Sequence, residues 1–206
     1  MGKIFYVMGK SSSGKDTIYN RLMKDLHPVL KTIVGYTTRP MRENEVNGRE
    51  YFFVSEEELR RLEREGKVIE CRSYNTVYGT WYYFTVDDEQ VNLDRYNYLL
   101  IGTLASFTKV ADYYGADERG EKQVIPIYIN VEDGERLIRA ILREKNQSCP
   151  GYQEVCRRFL ADSEDFLEEN IKQAGIEAVY ENDDIEKCCE QIKRMIEGTI
   201  RRQGRI

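Results

Sequence analysis

Histidine is nearly absent from this chain: His27 is the only one. A histidine triad or a multi-histidine metal site is excluded by counting, and His27, beside Pro28, reads as a residue at a helix end. The five cysteines, Cys71, Cys149, Cys156, Cys188 and Cys189, contain no C-x-x-C pair and no even framework. That argues against zinc and disulfides and for reduced thiols used in packing. No stretch nears the roughly 18 apolar residues of a membrane span, and the apolar start Ile4–Met8 runs into glycine and serine too soon to be the core of a signal peptide. A soluble, cytoplasmic protein with no membrane partner is the expectation. Nor is there an excess of positive charge: a net charge of −5 argues against a general nucleic-acid surface. Internal repeats and low-complexity segments are lacking as well.

What is present fits one α/β domain with insertions: 206 residues, 41% hydrophobic and 33% charged. Lys3 to Met8 reads as a buried strand, Gly9 to Gly14 as a turn-rich loop, and Lys15 to Leu26 as a helix with Ile18, Leu22 and Leu26 on one face. Val29 to Thr37 is β-rich, and Thr38 to Glu50 has the composition of a mobile loop. Ser55 and Glu58 have capping-box spacing, which starts a helix that Gly66 stops. Strand-like runs follow at Val68 to Tyr74 and Thr76 to Val86. Beyond them strands at Tyr96 to Gly102 and Gln123 to Asn130 alternate with helices at Leu104 to Tyr114 and Val131 to Lys145. One long helix is expected from the break at Asn146 to Gly151 as far as Ala174, then a short strand and a last helix from Asp183 to Arg202. Such alternation predicts a parallel sheet flanked by helices.

Gly9-Lys10-Ser11-Ser12-Ser13-Gly14-Lys15 matches the G-x-x-x-x-G-K part of a phosphate-binding loop, in the strand-to-helix context that the motif requires. Glycines let successive N–H groups point inward, the helix N-terminus adds positive potential, and Lys15 reaches the β- and γ-phosphates of a nucleoside triphosphate. Asp16 stands where a serine or threonine normally offers its hydroxyl to Mg²⁺, and Thr17 follows it. Two readings of Asp16 stay open, a Mg²⁺ ligand or a carboxylate that only caps the helix.

Next come Thr37-Thr38-Arg39-Pro40-Met41-Arg42, Asn47-Gly48-Arg49-Glu50-Tyr51-Phe52-Phe53, Val68-Ile69-Glu70 and Val77-Tyr78-Gly79-Thr80, and later Asn182-Asp183-Asp184. Arg39 and Arg42 with Tyr51 and Tyr78 supply two planar cations and two phenols, a set suited to gripping a monophosphate dianion. A carboxylate such as Glu70 can accept from the N1–H and amino group of guanine together, where adenine offers an acceptor. In order and spacing these motifs, with the phosphate loop, resemble the guanylate kinase family over most of the chain.

The resemblance implies a P-loop NTPase core (1–34, 87–143 and 159–206), a small β-rich NMP-binding insert (35–86) and a short lid (144–158), all in one domain. It implies ATP and Mg²⁺ as cofactors, GMP as acceptor, Gly79, Thr80 and Thr103 near the base, Asn182 near the adenine of ATP, and Arg143 and Arg158 closing over the triphosphate. The bland alternative for Asn182 is a cap on the last helix. Arg136, Arg139 and Arg157 read as ordinary charged helix surface. Three positions depart from the family: Gly35 replaces a serine of the phosphate grip, and Ile101 and Thr103 replace the two acids of a D-x-D. Those departures keep two alternatives alive beside ATP-dependent conversion of GMP to GDP: a monophosphate kinase with relaxed or different base specificity, and a catalytically silent binding module. A monomer or homodimer is expected.

Overall fold

The run Ile4–Met8 is buried at all five positions. Strand side chains alternate between faces, so a strand apolar throughout must be covered on both. Ile4, Tyr6 and Met8 pack with Tyr98, Leu100, Phe107 and Val110, while Phe5 and Val7 pack on the other side with Ile18, Leu22, Ile192 and Ile196. This division is the plan of the protein, seen in a computed structural model that describes residues 1–206 apart from 77, 78, 149, 203, 205 and 206.

In chain order the first elements are β1 (Ile4–Met8), α1 (Lys15–Asp25), β2 (Leu30–Thr32), β3 (Tyr36–Thr37), β4 (Phe52–Phe53), α2 (Glu56–Arg64), β5 (Val68–Thr76) and β6 (Gly79–Val86). There follow β7 (Asn97–Gly102), α3 (Leu104–Tyr114), β8 (Val124–Asn130), α4 (Asp133–Lys145), α5 (Tyr152–Asp165), α6 (Glu168–Gln173), β9 (Val179–Glu181) and α7 (Ile185–Arg202). The main sheet runs β2-β7-β1-β8-β9 and is parallel throughout. From β1 the chain winds outward through α1 to β2 on one side, and it later crosses to β8 on the other. Such a reversal opens a crevice beyond the C-terminal end of the central strand, where ligands of open α/β sheets bind. The fold is that of a P-loop NTPase.

A second sheet, β4-β3-β6-β5, is inserted between β2 and β7. Leu59 and Leu62 of α2 cover its Phe84 and Val86, and Tyr36 stacks between Phe52 and Phe84 at 4.8 and 5.4 Å. Ser55 caps α2 by accepting from the N–H of Glu58 at 3.2 Å, as its spacing predicts. One irregularity matters for the site. Val68 pairs with Val86 and Glu70 with Thr85, so Ile69 is an extra residue in a β-bulge. Bulges re-aim side chains; here Ile69 packs against the main core and Glu70 turns to Thr85.

Three expectations need correction. The helix expected to run to Ala174 is two, α5 and α6, because Phe166 turns inward, 7% exposed, and stacks on Tyr128 at 5.3 Å; a continuous helix would not let it reach that core position. The long hairpin runs through Thr76 on β5 and starts again at Gly79. Packing accounts for Cys188 and Cys189, which are buried, but not for Cys156, which is exposed; Cys149 lies outside the described residues.

Candidate active site

The loop leaving β1 is wound by two left-handed residues, Ser12 (φ 64°) and Gly14 (φ 83°). Its first residue, Gly9, has no room for a Cβ, which would collide with the main-chain oxygen of Ile129 on β8. The loop closes on itself through Ser13 N–H to the oxygen of Lys10 at 3.2 Å. The hydroxyls of Ser12 and Ser13 are buried and have no hydrogen-bond partner among the described residues. Gly14 opens α1 with no side-chain cap, so the first-turn N–H groups keep their positive potential. Lys15 is one-fifth exposed, its Nζ 3.8 Å from Asp16 Oδ2. Asp16 and Thr17 face solvent. Asp16 makes no capping hydrogen bond among the described residues, but it lies in the first turn, where a carboxylate complements the helix dipole, so both of its readings stay open.

Asn182 is not a helix cap either. It is 3% exposed, and its Nδ2 donates to the main-chain oxygen of Ser13 at 2.7 Å, beneath the phosphate loop. Asp184 caps α7 instead, accepting from the N–H groups of Glu186 and Lys187 at 2.9 and 3.1 Å.

Behind the loop lies a charged cluster that the sequence did not disclose. Arg136 is buried, 1% exposed, and donates to Ser11 O at 3.3 Å, Asp162 Oδ2 at 3.1 Å and Asp133 Oδ1 at 3.0 Å, with its guanidinium 4.3 Å from the Phe159 ring centre. It is therefore not helix surface. Helical spacing alone cannot separate a buried arginine from an exposed one; the signal would have been the pairing of Asp133 and Asp162, which only the fold brings together. Arg157 does follow the surface reading, in a pair with Glu154, whereas Arg139, paired with Glu135, also donates from both Nη atoms to the main-chain oxygen of Asn182 at 3.4 and 3.3 Å.

Arg143 and Arg158 line one cleft with Ser11, Ser12 and Arg136. Arg158 is paired with Glu154 at 2.6 Å, and hydrogen bonding to Arg157, and less to Arg158, pulls the Glu154 carboxyl down to about 2. Arg143 makes no ion pair among the described residues. Arg39, 5% exposed, is held by Glu45 through two hydrogen bonds of 2.6 and 2.5 Å and lies 5.4 and 5.2 Å from the ring centres of Tyr51 and Phe53. Glu45 also accepts from the N–H of Arg42 at 2.8 Å, and hydrogen bonding to Arg39 brings its carboxyl down to about 2. The Arg42 side chain is exposed. Burial raises the Tyr51 phenol, against the lowering influence of Arg72 and Arg39.

Glu70 is sealed. Its side chain is fully buried and accepts from Thr85 Oγ1 at 2.8 Å and from Arg72 Nε and Nη2 at 3.0 and 3.3 Å. Arg72 also reaches Thr103 Oγ1 at 3.3 Å, the same oxygen that caps α3. Thr80 is exposed and donates to Asn75 across the hairpin at 3.0 Å, away from Glu70. Gly79 begins β6 at φ 109°, and Tyr78 lies outside the described residues. The structure thus gathers Gly9 to Thr17 with Asn182 at the loop, Arg143 and Arg158 in the cleft beside it, Arg39 with Tyr51, and Glu70 with Thr103 through Arg72.

The family model described as guanylate kinase matches residues 1–89. Over nearly the whole chain it is similar to the guanylate kinase of Porphyromonas gingivalis, 27% identical over 95% of this chain and 97% of that one, and to that of Mycoplasma mobile, 28% identical over 97% and 94%. A crystal structure of guanylate kinase from Anaplasma phagocytophilum shares the fold, with a TM-score of 0.59 and 24% identity over 96% of this chain and 86% of that chain. Among the described residues no helix is long and apolar enough to cross a membrane. The chain is thus similar to guanylate kinases over nearly its whole length, while the family model itself matches its first 89 residues.

Proposed function

We propose that this chain transfers the γ-phosphoryl group of ATP to GMP, giving ADP and GDP, within one domain made of a core (1–34, 87–143, 159–206), an NMP-binding insert (35–86) and a lid (144–158). The observation that carries the reading is the phosphate loop: two left-handed residues, an uncapped helix start, and two buried serine hydroxyls that lack partners among the described residues. A triphosphate supplies the acceptors that these donors need.

Phosphoryl transfer asks the protein for in-line positioning and for cations around the equatorial oxygens rather than for covalent chemistry. Lys15 is placed for the β- and γ-phosphates. Arg143 and Arg158 reach the same phosphates from the helices that bracket the lid, and Arg158 must exchange Glu154 for phosphate as the lid closes. Arg39 and Arg42, with Tyr51 and Tyr78, grip the acceptor phosphate; Arg39 exchanges Glu45 for it. The acceptor phosphate is already an anion near neutral pH, so no general base is required. Closure over both substrates excludes water and limits idle hydrolysis.

The donor set suits Mg²⁺. Asp16 offers one exposed hard-oxygen carboxylate at the loop mouth, and among the described residues no group of three metal-binding side chains forms a dedicated cage. Mg²⁺ binds in this manner, through one or two carboxylates with phosphate and water oxygens completing the shell. When bound it neutralises charge on the β- and γ-oxygens.

Release of ADP with ATP and Mg²⁺ in the presence of GMP, dGMP, AMP, CMP and UMP tests the proposal, with Lys15→Ala as the blank. GMP-dependent release abolished in the variant is the expected result. Binding of nucleotide with no release from any acceptor would move the reading to a silent binding module.

A further inference from the structure

The base end of the site is not what a guanine-reading carboxylate requires. To accept from N1–H and the amino group of guanine, a carboxylate must present both oxygens to the incoming base. Glu70 presents neither: its side chain is fully buried, Oε2 takes Arg72 Nε, and Oε1 takes Thr85 Oγ1 and Arg72 Nη2. The bulge at Ile69 fixes this arrangement by setting Glu70 opposite Thr85, and Arg72 follows two residues later on the same strand face. Arg72, one-quarter exposed, is the open side of the pair. Its Nη1 reaches Thr103, so the end of β7 contributes a hydroxyl and no carboxylate.

We propose that Arg72 is the specificity-determining residue of this site and selects 6-oxopurine monophosphates as a class, GMP, IMP and XMP alike, over AMP. A guanidinium carries donors only, and its fork matches the adjacent O6 and N7 acceptors of a 6-oxopurine. Adenine sets an amino group in the place of O6, donor against donor. The substituent at C2 distinguishes GMP, IMP and XMP, and with Glu70 neutralised by Arg72 no free carboxylate remains to read it. A site rejects an analogue strongly only where a buried group is left unpaired by the missing partner, and here the C2 amino group has no such partner to lose. The inference rests on the kinase reading above and adds the acceptor class.

The test is a panel of GMP, IMP, XMP and AMP with the full chain, followed by calorimetric binding without ATP and by kcat/KM with ATP and Mg²⁺. Expected are values for IMP and XMP within about tenfold of GMP, and AMP weaker than GMP by roughly 10- to 100-fold, the worth of one bidentate arginine–base contact. In Arg72→Ala all three 6-oxopurines lose on the order of 10- to 100-fold, while Glu70, now uncovered, begins to favour GMP over IMP. Arg72→Gln carries the same readout if removal of the whole side chain unfolds the protein. GMP turnover with IMP refused by a hundredfold or more in the unaltered chain overturns the acceptor class and leaves the kinase reading standing. Absence of monophosphate binding and of ADP release overturns both.

Discussion

Asp162 Oδ2 accepts from the main-chain N–H of Ser11 at 2.7 Å, so a helix beyond the lid is tied directly to the phosphate loop. The same oxygen takes Arg136 Nη1 at 3.1 Å, and Arg136 in turn donates to Ser11 O. Asp162 is only 16% exposed, so loss of Arg136 strands a largely buried charge. Arg136→Ala is expected to cost about 3–5 kcal/mol of stability, and Arg136→Lys most of that, since an ammonium cannot serve three acceptors in the plane of the guanidinium. Arg157→Ala, at an exposed pair with Glu154, should cost no more than about 1 kcal/mol. Urea unfolding of the three variants decides it; equal small losses would mean that the cluster is not a brace.

The phosphate loop, the parallel sheet and nearly every element were legible because their signals are local: a glycine spacing, a capping residue, an apolar run. The site was legible where a motif names its own residues, as with Gly9 to Lys15 and Arg39. It was not legible where partners come from distant elements. Arg136 and Asp162 lie on different helices, and Glu45 looks like any loop acid until Arg39 folds onto it. Glu70 stood out as a candidate but its surroundings were not legible, because they depend on a bulge which shifts register by one residue and on Thr85 from the opposite strand. The break between α5 and α6 was missed for the same reason: Tyr128, which receives Phe166, is on β8.

Gly14 is constrained twice. Its φ of 83° belongs to the left-handed region, and a Cβ there would lie 2.5 Å from Asn182 Nδ2, the atom that bonds Ser13 O. Gly14→Ala should therefore abolish measurable ATP binding while costing more than about 1 kcal/mol of stability. Adding Asn182→Ala removes the clash but not the backbone strain, so stability returns in part and ATP binding does not. Full recovery of binding in the double variant would show that the contact with Asn182, not the loop curl, is what matters.

Glu45 sets a pH expectation. Its folded-state carboxyl lies at about 2, below the usual carboxylate value, because Arg39 and the N–H of Arg42 favour the charged form. A depressed acid contributes stability that is complete above the unfolded-state value of about 4.3 and is lost as pH falls through about 2. Between these limits the slope of stability against pH should be shallower in Glu45→Gln than in the unaltered chain, and above about pH 5 the two slopes should coincide. Neither Glu45 nor Glu154, also near 2, titrates in the working range. The KM for GMP is thus expected to rise as pH drops below about 6, where the substrate phosphate loses its second charge. A KM that is flat from pH 5 to 8 would contradict grip by Arg39 and Arg42 on a dianion.

Gly35 offers the most direct repair of the phosphate grip. A Cβ built there lies 3.6 Å from Phe84 O and 3.7 Å from the Tyr51 ring, which is ordinary contact, and the backbone is not left-handed. Nothing in the packing demands glycine, so Gly35→Ser should fold at least as stably as the unaltered chain and place a hydroxyl beside Tyr51, on the side of the site that holds Arg39. One added hydrogen bond to the acceptor phosphate contributes about 0.5–1.5 kcal/mol, or roughly two- to twelvefold in affinity. The gain should appear as a lower KM for every monophosphate that the protein accepts, with the ratio among bases unchanged, because on the proposed reading the phosphate end and the Arg72 end of the site are read separately. If Gly35→Ser instead shifts the ratio between GMP and IMP, the two ends are coupled through Tyr51, whose phenol, raised by burial, is lowered by the charges of both Arg72 and Arg39.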